Sequence, residues 1–241
     1  MKNLFKIIRK IILFIIVMLL LIVACFVATG YSMYQKALEE KPIDKMIEEI
    51  KSKENYTKLE EMPKIYIDAV IAVEDHRFYD HRGVDYFAIV GAIINDLSNQ
   101  SLIQGGSTIT QQICKNVYFT QERKLERKIA ETFMAAELEY HCDKDDILEL
   151  YINTCFYGNN CYTPKEASKL YFEKEPSEMN DYESTLLAGV PNAPSLYNPI
   201  YSMKLAKERQ AQVLYAMIKY NYINEEQKEA ILAQGENSND N

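Results

Sequence analysis

The N-terminal part of the chain has the pattern of a membrane anchor. Four basic residues occur within the first ten positions, and an unbroken apolar run of 18 residues follows at 11–28. A helix of this length spans a bilayer when its flanks are included, and its basic side stays in the cytoplasm. The pattern therefore predicts a cytoplasmic tail at 1–10, a transmembrane anchor at 11–30, and the rest of the chain on the outer face.

Two kinds of processing compete with a retained anchor. A cleavable signal peptide has a shorter apolar core, of about 7–15 residues. The segment Ile22-Val23-Ala24-Cys25 resembles a lipoprotein processing site, which would place acyl chains on Cys25, although the apolar run continues to Ala28. In each of the three cases we expect the remaining chain to lie outside the cytoplasmic membrane.

Helical spacing of apolar residues dominates the rest of the chain. Ile43, Met46, Ile47 and Ile50 predict an amphipathic helix within a membrane-proximal connector, 31–60, for which a solvated stalk is the alternative. A domain at 61–234 follows, and the run 65–73 predicts a buried helix within it. The further predicted helices are 144–153, 164–172, 178–188 and 203–234, with loops at 156–163 and 191–199.

This pattern places the domain in the mainly α class, with no strand alternation of any length beyond the ambiguous run 65–73. Ile129, Phe133, Ala136 and Tyr140 form a stripe at helical spacing, and we interpret it as part of the core. Glu131 is two positions from Ile129 and is expected to point away from that core. The tail at 235–241 is polar and is expected to be disordered.

Charge excludes one class of partner. The formal net charge is −8, and the first 30 residues contribute +4, so the remaining residues carry −12. An acidic domain on the outer face is a poor candidate for binding nucleic acid.

Candidate chemistry is concentrated between Glu74 and Glu131. Glu74 and Asp75 end the apolar run, where partial burial would raise the pKa of a carboxyl group and suit it to act as a base. A Gly-Gly pair then precedes Ser107 and Thr108, and Thr108 and Gln111 have capping-box spacing. Such a helix start presents free backbone amides, which favour phosphate.

Four cations, Lys115, Arg123, Arg127 and Lys128, follow this helix start and indicate a phosphate or pyrophosphate ligand. Taken alone, Arg127 and Glu131 also fit an ordinary surface ion pair. His76 and His81 lack a third ligand nearby and do not indicate a metal site. Ser107 has no histidine between 82 and 140 to activate it, which favours a capping role over a nucleophile.

Five segments occur in an order that resembles a known family: EDHRFYDHRG (74–83), GGSTITQQICKN (105–116), RKIAE (127–131), ILELYIN (147–153) and LLAGVPNAPSLYNP (186–199). Together they are similar to the motifs of the peptidoglycan glycosyltransferases of family 51. This family forms the glycan-polymerising domain of class A penicillin-binding proteins and the whole of the monofunctional transglycosylases. The resemblance implies a lysozyme-like helical domain with a smaller membrane-proximal lobe.

The resemblance also implies a reaction and the residues that carry it. Lipid II would be polymerised with inversion and loss of undecaprenyl pyrophosphate. Glu74 matches the family's base, Glu131 its second carboxylate, and Lys115 and Arg123 the positions that hold the donor pyrophosphate. The cleft-lining and supporting positions that match are Ser107, Thr108, Gln111, Gln112, Asn116, Arg127, Lys128, Asp75, Phe78, His81 and Gly83.

Partners follow from the same resemblance: lipid II, the lipid-linked glycan chain and the bilayer, with other cell-wall synthesis proteins left open. No cofactor is implied, and a divalent cation, Mg²⁺ or Mn²⁺, stays open. The sequence lacks the SxxK and KTG motifs of a transpeptidase, which is typical of the monofunctional form. The rival functions are a glycan-cleaving enzyme with a helical fold and an essential glutamate, and a non-catalytic scaffold.

Five cysteines leave the redox state open. An outer-face location permits disulfides, and Cys155 and Cys161 flank the FYGNN loop at a separation compatible with a bridge. Small core residues are the alternative for these cysteines.

Overall fold

The computed structural model describes residues 2–97, 106–119 and 124–237, and all regular elements in these ranges are helical. The mainly α class is therefore confirmed. The α-helices of the described ranges are α1 (Lys2–Glu40), α2 (Ile43–Lys51), α3 (Lys64–Glu74), α4 (Tyr86–Leu97), α5 (Ile109–Tyr118), α6 (Leu125–His141), α7 (Lys144–Ile152), α8 (Pro164–Phe172), α9 (Asp181–Gly189), α10 (Met203–Lys219) and α11 (Glu225–Asn237).

Helix α1 continues past the apolar run and reaches the domain without a break at residue 30. Within the described ranges it is the one helix that is long and apolar enough to cross a membrane. Its C-terminal part packs along α6, with contacts at Gly30, Tyr31 and Tyr34. Helix α2 follows and buries Ile43, Met46 and Ile50, so the predicted amphipathic helix is confirmed.

Helix α3 lies at the centre of the core, as the run 65–73 predicts. Pro63 precedes it, where a missing N–H costs no intrahelical bond, and Tyr66, Ala69 and Val73 are among its buried residues. Helices α9 and α10 pack against it. Because apolar residues surround α3 on several sides, its sequence is nearly continuous in hydrophobicity rather than striped.

The prediction for the stripe on α6 is wrong. The face buried in the core carries Ala130, Met134 and Leu138, while Tyr140 is 87% exposed. Ile129 and Phe133 instead face α1 and are only partly buried. Helix α6 thus has two apolar faces, one toward the core and one toward the anchor helix.

The predicted single helix over 203–234 is also wrong, because the chain turns between α10 and α11. Asn221 adopts a left-handed backbone conformation, with φ +61°, which asparagine tolerates better than most residues. The amides of Asn221 and Tyr222 then bond to the carbonyls of Ile218 and Met217, closing α10. Helix α11 continues to Asn237, and Gly235 is buried against Tyr182, so ordered structure extends beyond residue 234.

Cys155 and Cys161 are both free thiols in this structure, and both are buried. Burial raises the pKa of the Cys155 thiol to about 12, so the sulfur stays protonated at neutral pH. The structure therefore agrees with the alternative prediction, that these cysteines are small core residues.

A buried asparagine ties the segment before α3 to the end of α7. The Asn153 side chain is fully buried, accepts a bond from the Thr57 amide at 2.9 Å and donates to the Thr57 carbonyl at 2.8 Å. Both backbone groups of Thr57 therefore depend on one side chain, which is costly to lose in a buried place.

We predict that Asn153→Ala lowers the free energy of unfolding by about 3 kcal/mol, because two buried backbone groups lose their partner. Denaturant unfolding in detergent, followed by circular dichroism, measures this. Asn55→Ala is the matched control, since the Asn55 amide makes a single 3.3 Å contact with Glu166. Equal losses in the two variants would contradict the proposed role of Asn153.

Candidate active site

The carboxylate of Glu74 lies at the end of α3 and is held from two sides. Gln112 of α5 donates to its Oε2 atom at 2.8 Å, and Arg209 of α10 approaches its Oε1 atom at 3.4 Å. The Glu74 side chain is 11% exposed, so it is largely withdrawn from solvent without being sealed. Each carboxylate oxygen keeps a lone pair for a further partner.

The neighbouring carboxylate, Asp75, bonds to the start of α5 rather than facing Gln112 and Arg209. It is buried, and its Oδ2 atom accepts from the amide of Ile109, the first residue of α5, at 3.0 Å. His81 contacts both of its oxygens at 2.9 and 3.0 Å. Asp75 therefore joins the end of α3 to the start of α5, which fixes the position of Glu74 relative to α5.

The predicted capping box at the start of α5 is confirmed. The Thr108 hydroxyl accepts from the Gln111 amide at 3.1 Å, and the Gln111 side chain accepts from the Thr108 amide at 3.2 Å. Thr108 also donates to the Gly83 carbonyl at 2.6 Å. Gly83 has φ +73°, and a Cβ atom there would meet the backbone of Ala135 at 3.0 Å, so this approach requires glycine.

The first turns of α6 bring charged groups to the same helix start. Lys128 donates to the Ser107 hydroxyl at 2.7 Å and contacts the Glu131 carboxylate at 3.1 Å. Arg127 also donates to Glu131. Glu131 is 1% exposed, so the expectation that it points away from the interior is wrong. Two cations contact this buried carboxylate, which offsets the cost of burying its charge.

Burial shifts the acid–base behaviour of this cluster. Desolvation, followed by the nearby charges of Arg127 and Lys115, lowers the pKa of Lys128 to about 8. The Lys128 ammonium is therefore mostly charged at neutral pH and loses its charge as the pH rises through about 8.

Helix α5 connects the two parts of the site. Gln112, Lys115 and Asn116 are spaced three and four residues apart and thus share one face of α5. Gln112 bonds to Glu74, Lys115 lies close enough to influence Lys128, and Asn116 is exposed. One helix face therefore carries a carboxylate partner and a cation within a single turn.

Other predicted site residues lie further from this face. Gln111 is buried and donates to Thr132 on α6. Phe78 is fully buried, with the Lys144 ammonium 4.4 Å from its ring centre. It therefore anchors the segment between α3 and α4 in the core. Arg123 and Gly105 lie outside the described residues.

Arg209 is a site residue that the sequence reading missed. It is 3% exposed, its Nε atom has no partner among the described residues, and its Nη1 atom donates to Gln212 at 2.9 Å. In the sequence it lies within an ordinary amphipathic helix, 135 residues from Glu74. A buried arginine is rare without a carboxylate partner, but burial is not readable from that segment alone.

Asp75, His81 and Asp85 form one group, among the described residues, whose ligand atoms lie within 4.8 Å of one another. Its oxygens are already engaged. Arg77 pairs with Asp85, and the Ala88 amide donates to Asp85 at 2.9 Å. Although burial opposes ionisation, the bonds from Arg77 lower the pKa of Asp85. The carboxylates of this group therefore act as partners of Arg77, His81 and backbone amides in the segment between α3 and α4.

Comparison with known proteins places these features in a family context. A sequence model described as transglycosylase matches residues 39–218. Penicillin-binding protein 1A of Neisseria flavescens is 42% identical over 73% of this chain and 22% of its own length. Penicillin-binding protein 2D of Bacillus subtilis is 39% identical over 75% of this chain and 26% of its own. The chain thus spans about a quarter of the length of these curated relatives.

Solved structures are similar to this chain as well. The crystal structure of penicillin-binding protein 1A from Haemophilus influenzae aligns over 73% of this chain and 17% of its own, with 25% identity and a TM-score of 0.41.

The contact between Glu74 and Arg209 is expected to be energetically coupled. We predict that Arg209→Met alone destabilises the protein by about 3–5 kcal/mol, because it leaves a carboxylate without its cation in a largely buried place. The double variant with Glu74→Gln should be less destabilised than the sum of the single variants, by about 2 kcal/mol. Unfolding measurements on the four proteins of this cycle give the coupling.

The control cycle uses Lys64→Met and Asp68→Asn, which break an exposed pair on the same helix. Its coupling should be below about 0.5 kcal/mol. A coupling between Glu74→Gln and Arg209→Met that is as small as the coupling in the control cycle would show that Arg209 does not hold Glu74.

Proposed function

This chain belongs to the transglycosylase family, and we propose that it is a peptidoglycan glycosyltransferase that acts in bacterial cell-wall synthesis. Its substrate is lipid II, which it polymerises into β-1,4-linked glycan strands with release of undecaprenyl pyrophosphate. The observation that carries this proposal is the shared face of α5, where Gln112 holds the Glu74 carboxylate and Lys115 follows three residues later. A base and an anion-binding cation are the two groups that such a reaction needs.

Glu74 is the base of the proposed reaction. Its carboxylate accepts the proton of the acceptor's 4-hydroxyl as that oxygen attacks the anomeric carbon of the donor chain. The new glycosidic bond forms as the bond from that carbon to the pyrophosphate oxygen breaks, and the configuration inverts. Gln112 and Arg209 restrict the rotation of the carboxylate, which keeps its oxygens directed at one place.

The cations receive the leaving group. The pyrophosphate departs with the bonding electron pair, and Lys115, Arg127 and Lys128 stabilise the charge that develops on it, with Arg123 as a further candidate. Glu131 contacts two of these cations and thereby orients them. Three described cations against one buried carboxylate leave a net charge of about +2 for an anion.

The same cluster separates this proposal from its rivals. A glycan-cleaving enzyme has an essential glutamate but no leaving pyrophosphate, so a group of cations beside the base has no purpose in it. A non-catalytic scaffold would not need Glu74 to be both restrained and 11% exposed. The proposed reaction uses no cofactor, and a divalent cation that screens the pyrophosphate is compatible with it.

We place the domain on the outer face of the cytoplasmic membrane, with α1 as a single-pass anchor and its basic end inside. The bilayer is then a partner as well as the source of the substrate. Exposed Tyr86, Phe87 and Val90 on α4 offer a second apolar surface to it.

Removal of the base provides the first test of the function. We predict that Glu74→Gln lowers the rate of lipid II polymerisation by about 100-fold or more, because no group then accepts the hydroxyl proton. Gel analysis of glycan products in vesicles measures this rate. Donor binding should persist, and Asp68→Asn on the same helix should polymerise normally. Ordinary elongation by Glu74→Gln would refute the assignment of the base.

The lowered pKa of Lys128 predicts how donor affinity depends on pH. Below about pH 8 the ammonium is charged and binds pyrophosphate, and above it the charge is lost. Donor affinity should therefore fall by about tenfold between pH 7 and pH 9.5, the worth of one charge-assisted hydrogen bond. Lys128→Arg should remove this fall, because a guanidinium stays charged. If donor affinity fell in parallel with pH in the wild type and in Lys128→Arg, Lys128 would not be the group that causes the pH dependence.

A further inference from the structure

The anchor helix packs directly on the helix that carries the cations. Gly30 is buried at this contact, and a Cβ atom there would meet Ile129 Cγ2 at 2.6 Å and the Glu126 carbonyl oxygen at 2.9 Å. No other residue type fits without separation of α1 from α6. Gly30 and Tyr34 are spaced four residues apart, so the contact follows one face of α1.

Aromatic and polar contacts extend this interface beyond Gly30. The ring centre of Phe133 lies 5.2 Å from that of Tyr31 and 5.9 Å from that of Tyr34. The Tyr34 hydroxyl donates to Glu137 at 3.1 Å. Contacts that advance along α1 also advance along α6, so the two helices run parallel, and the first turn of α6 is level with Gly30.

This register sets the height of the first turn of α6 above the hydrocarbon core of the membrane. The apolar run ends at Ala28, two residues before Gly30, which corresponds to about 3 Å along a helix. The polar headgroup layer extends for about 5–7 Å beyond the hydrocarbon core on each side. Arg127 and Lys128, in the first turn of α6, therefore lie at the depth of the lipid phosphates if α1 spans the membrane.

We propose that α1 acts as a spacer of fixed length, which holds the cations of α6 at the phosphate depth of the bilayer, and that Gly30 is its positioning residue. The ligand so recognised is a lipid-linked pyrophosphate presented at the membrane surface. This inference rests on the proposed function and adds to it a geometric requirement. An anchor that only tethered the domain would impose no such height.

The decisive variant raises the domain without changing its packing. Seven polar helix-forming residues inserted between Ala28 and Thr29 add about 10.5 Å of helix and rotate the contact face by only about 20°. Arg127 and Lys128 then leave the headgroup layer. Each cation near the surface contributes about fivefold to binding, so polymerisation in vesicles should fall by about 30-fold. In detergent, with a short-chain donor, the insertion variant should match the wild type.

Gly30→Leu tests the contact itself, with Thr29→Leu as the matched control on the exposed side of α1. Gly30→Leu should lose activity in vesicles while keeping it in detergent, and Thr29→Leu should be unaffected in both. A depth measurement gives a readout apart from activity. The chain has no tryptophan, so Leu125→Trp, at the exposed start of α6, is a single reporter.

Lipids brominated near the headgroup should quench this reporter in the parent and not in the insertion variant. Full vesicle activity of the insertion variant, or equal quenching in both, would overturn the spacer. A wild type that fails to polymerise lipid II in either medium would instead refute the proposed function. The two failures are therefore distinguishable.

Discussion

The bond from the Ile109 amide to the Asp75 carboxylate is the constraint on which the rest of the site depends. It fastens the first turn of α5 to the last turn of α3, with His81 closing the other side of the carboxylate. Glu74 precedes Asp75 by one residue, so this contact brings Glu74 to the face of α5, where Gln112 bonds to it. A buried charge-assisted bond of this kind resists displacement because water cannot replace it at low cost.

Local chemistry explains which parts of the site were readable from the sequence. The capping box of Thr108 and Gln111 was predictable because it depends on residues three apart, and the buried helix 65–73 because its hydrophobicity is nearly continuous. Arg209 was not predictable, since its partner lies 135 residues away and no local pattern records the contact. The roles assigned to the matching residues remain predictions that the experiments above address.

Periodicity failed where a helix has two apolar faces. On α6 it assigned Ile129 and Phe133 to the core, because it could not tell that α1 is what covers them. For the same reason Glu131, placed between the two faces, could be read as exposed when it is buried. The break at Asn221 was missed because an asparagine in a left-handed conformation costs too little to leave a clear signal.

The pairing of α1 with α6 also has a consequence for how the protein is made. Gly30 and Ile129 are 99 residues apart in the chain. At a synthesis rate of roughly 5–20 residues per second, α1 therefore waits about 5–20 s before its partner emerges. During that interval the face of α1 that carries Tyr31 and Tyr34 lacks its partner on α6. The order of biosynthesis thus leaves the anchor established in the bilayer before the domain that it positions can close on it.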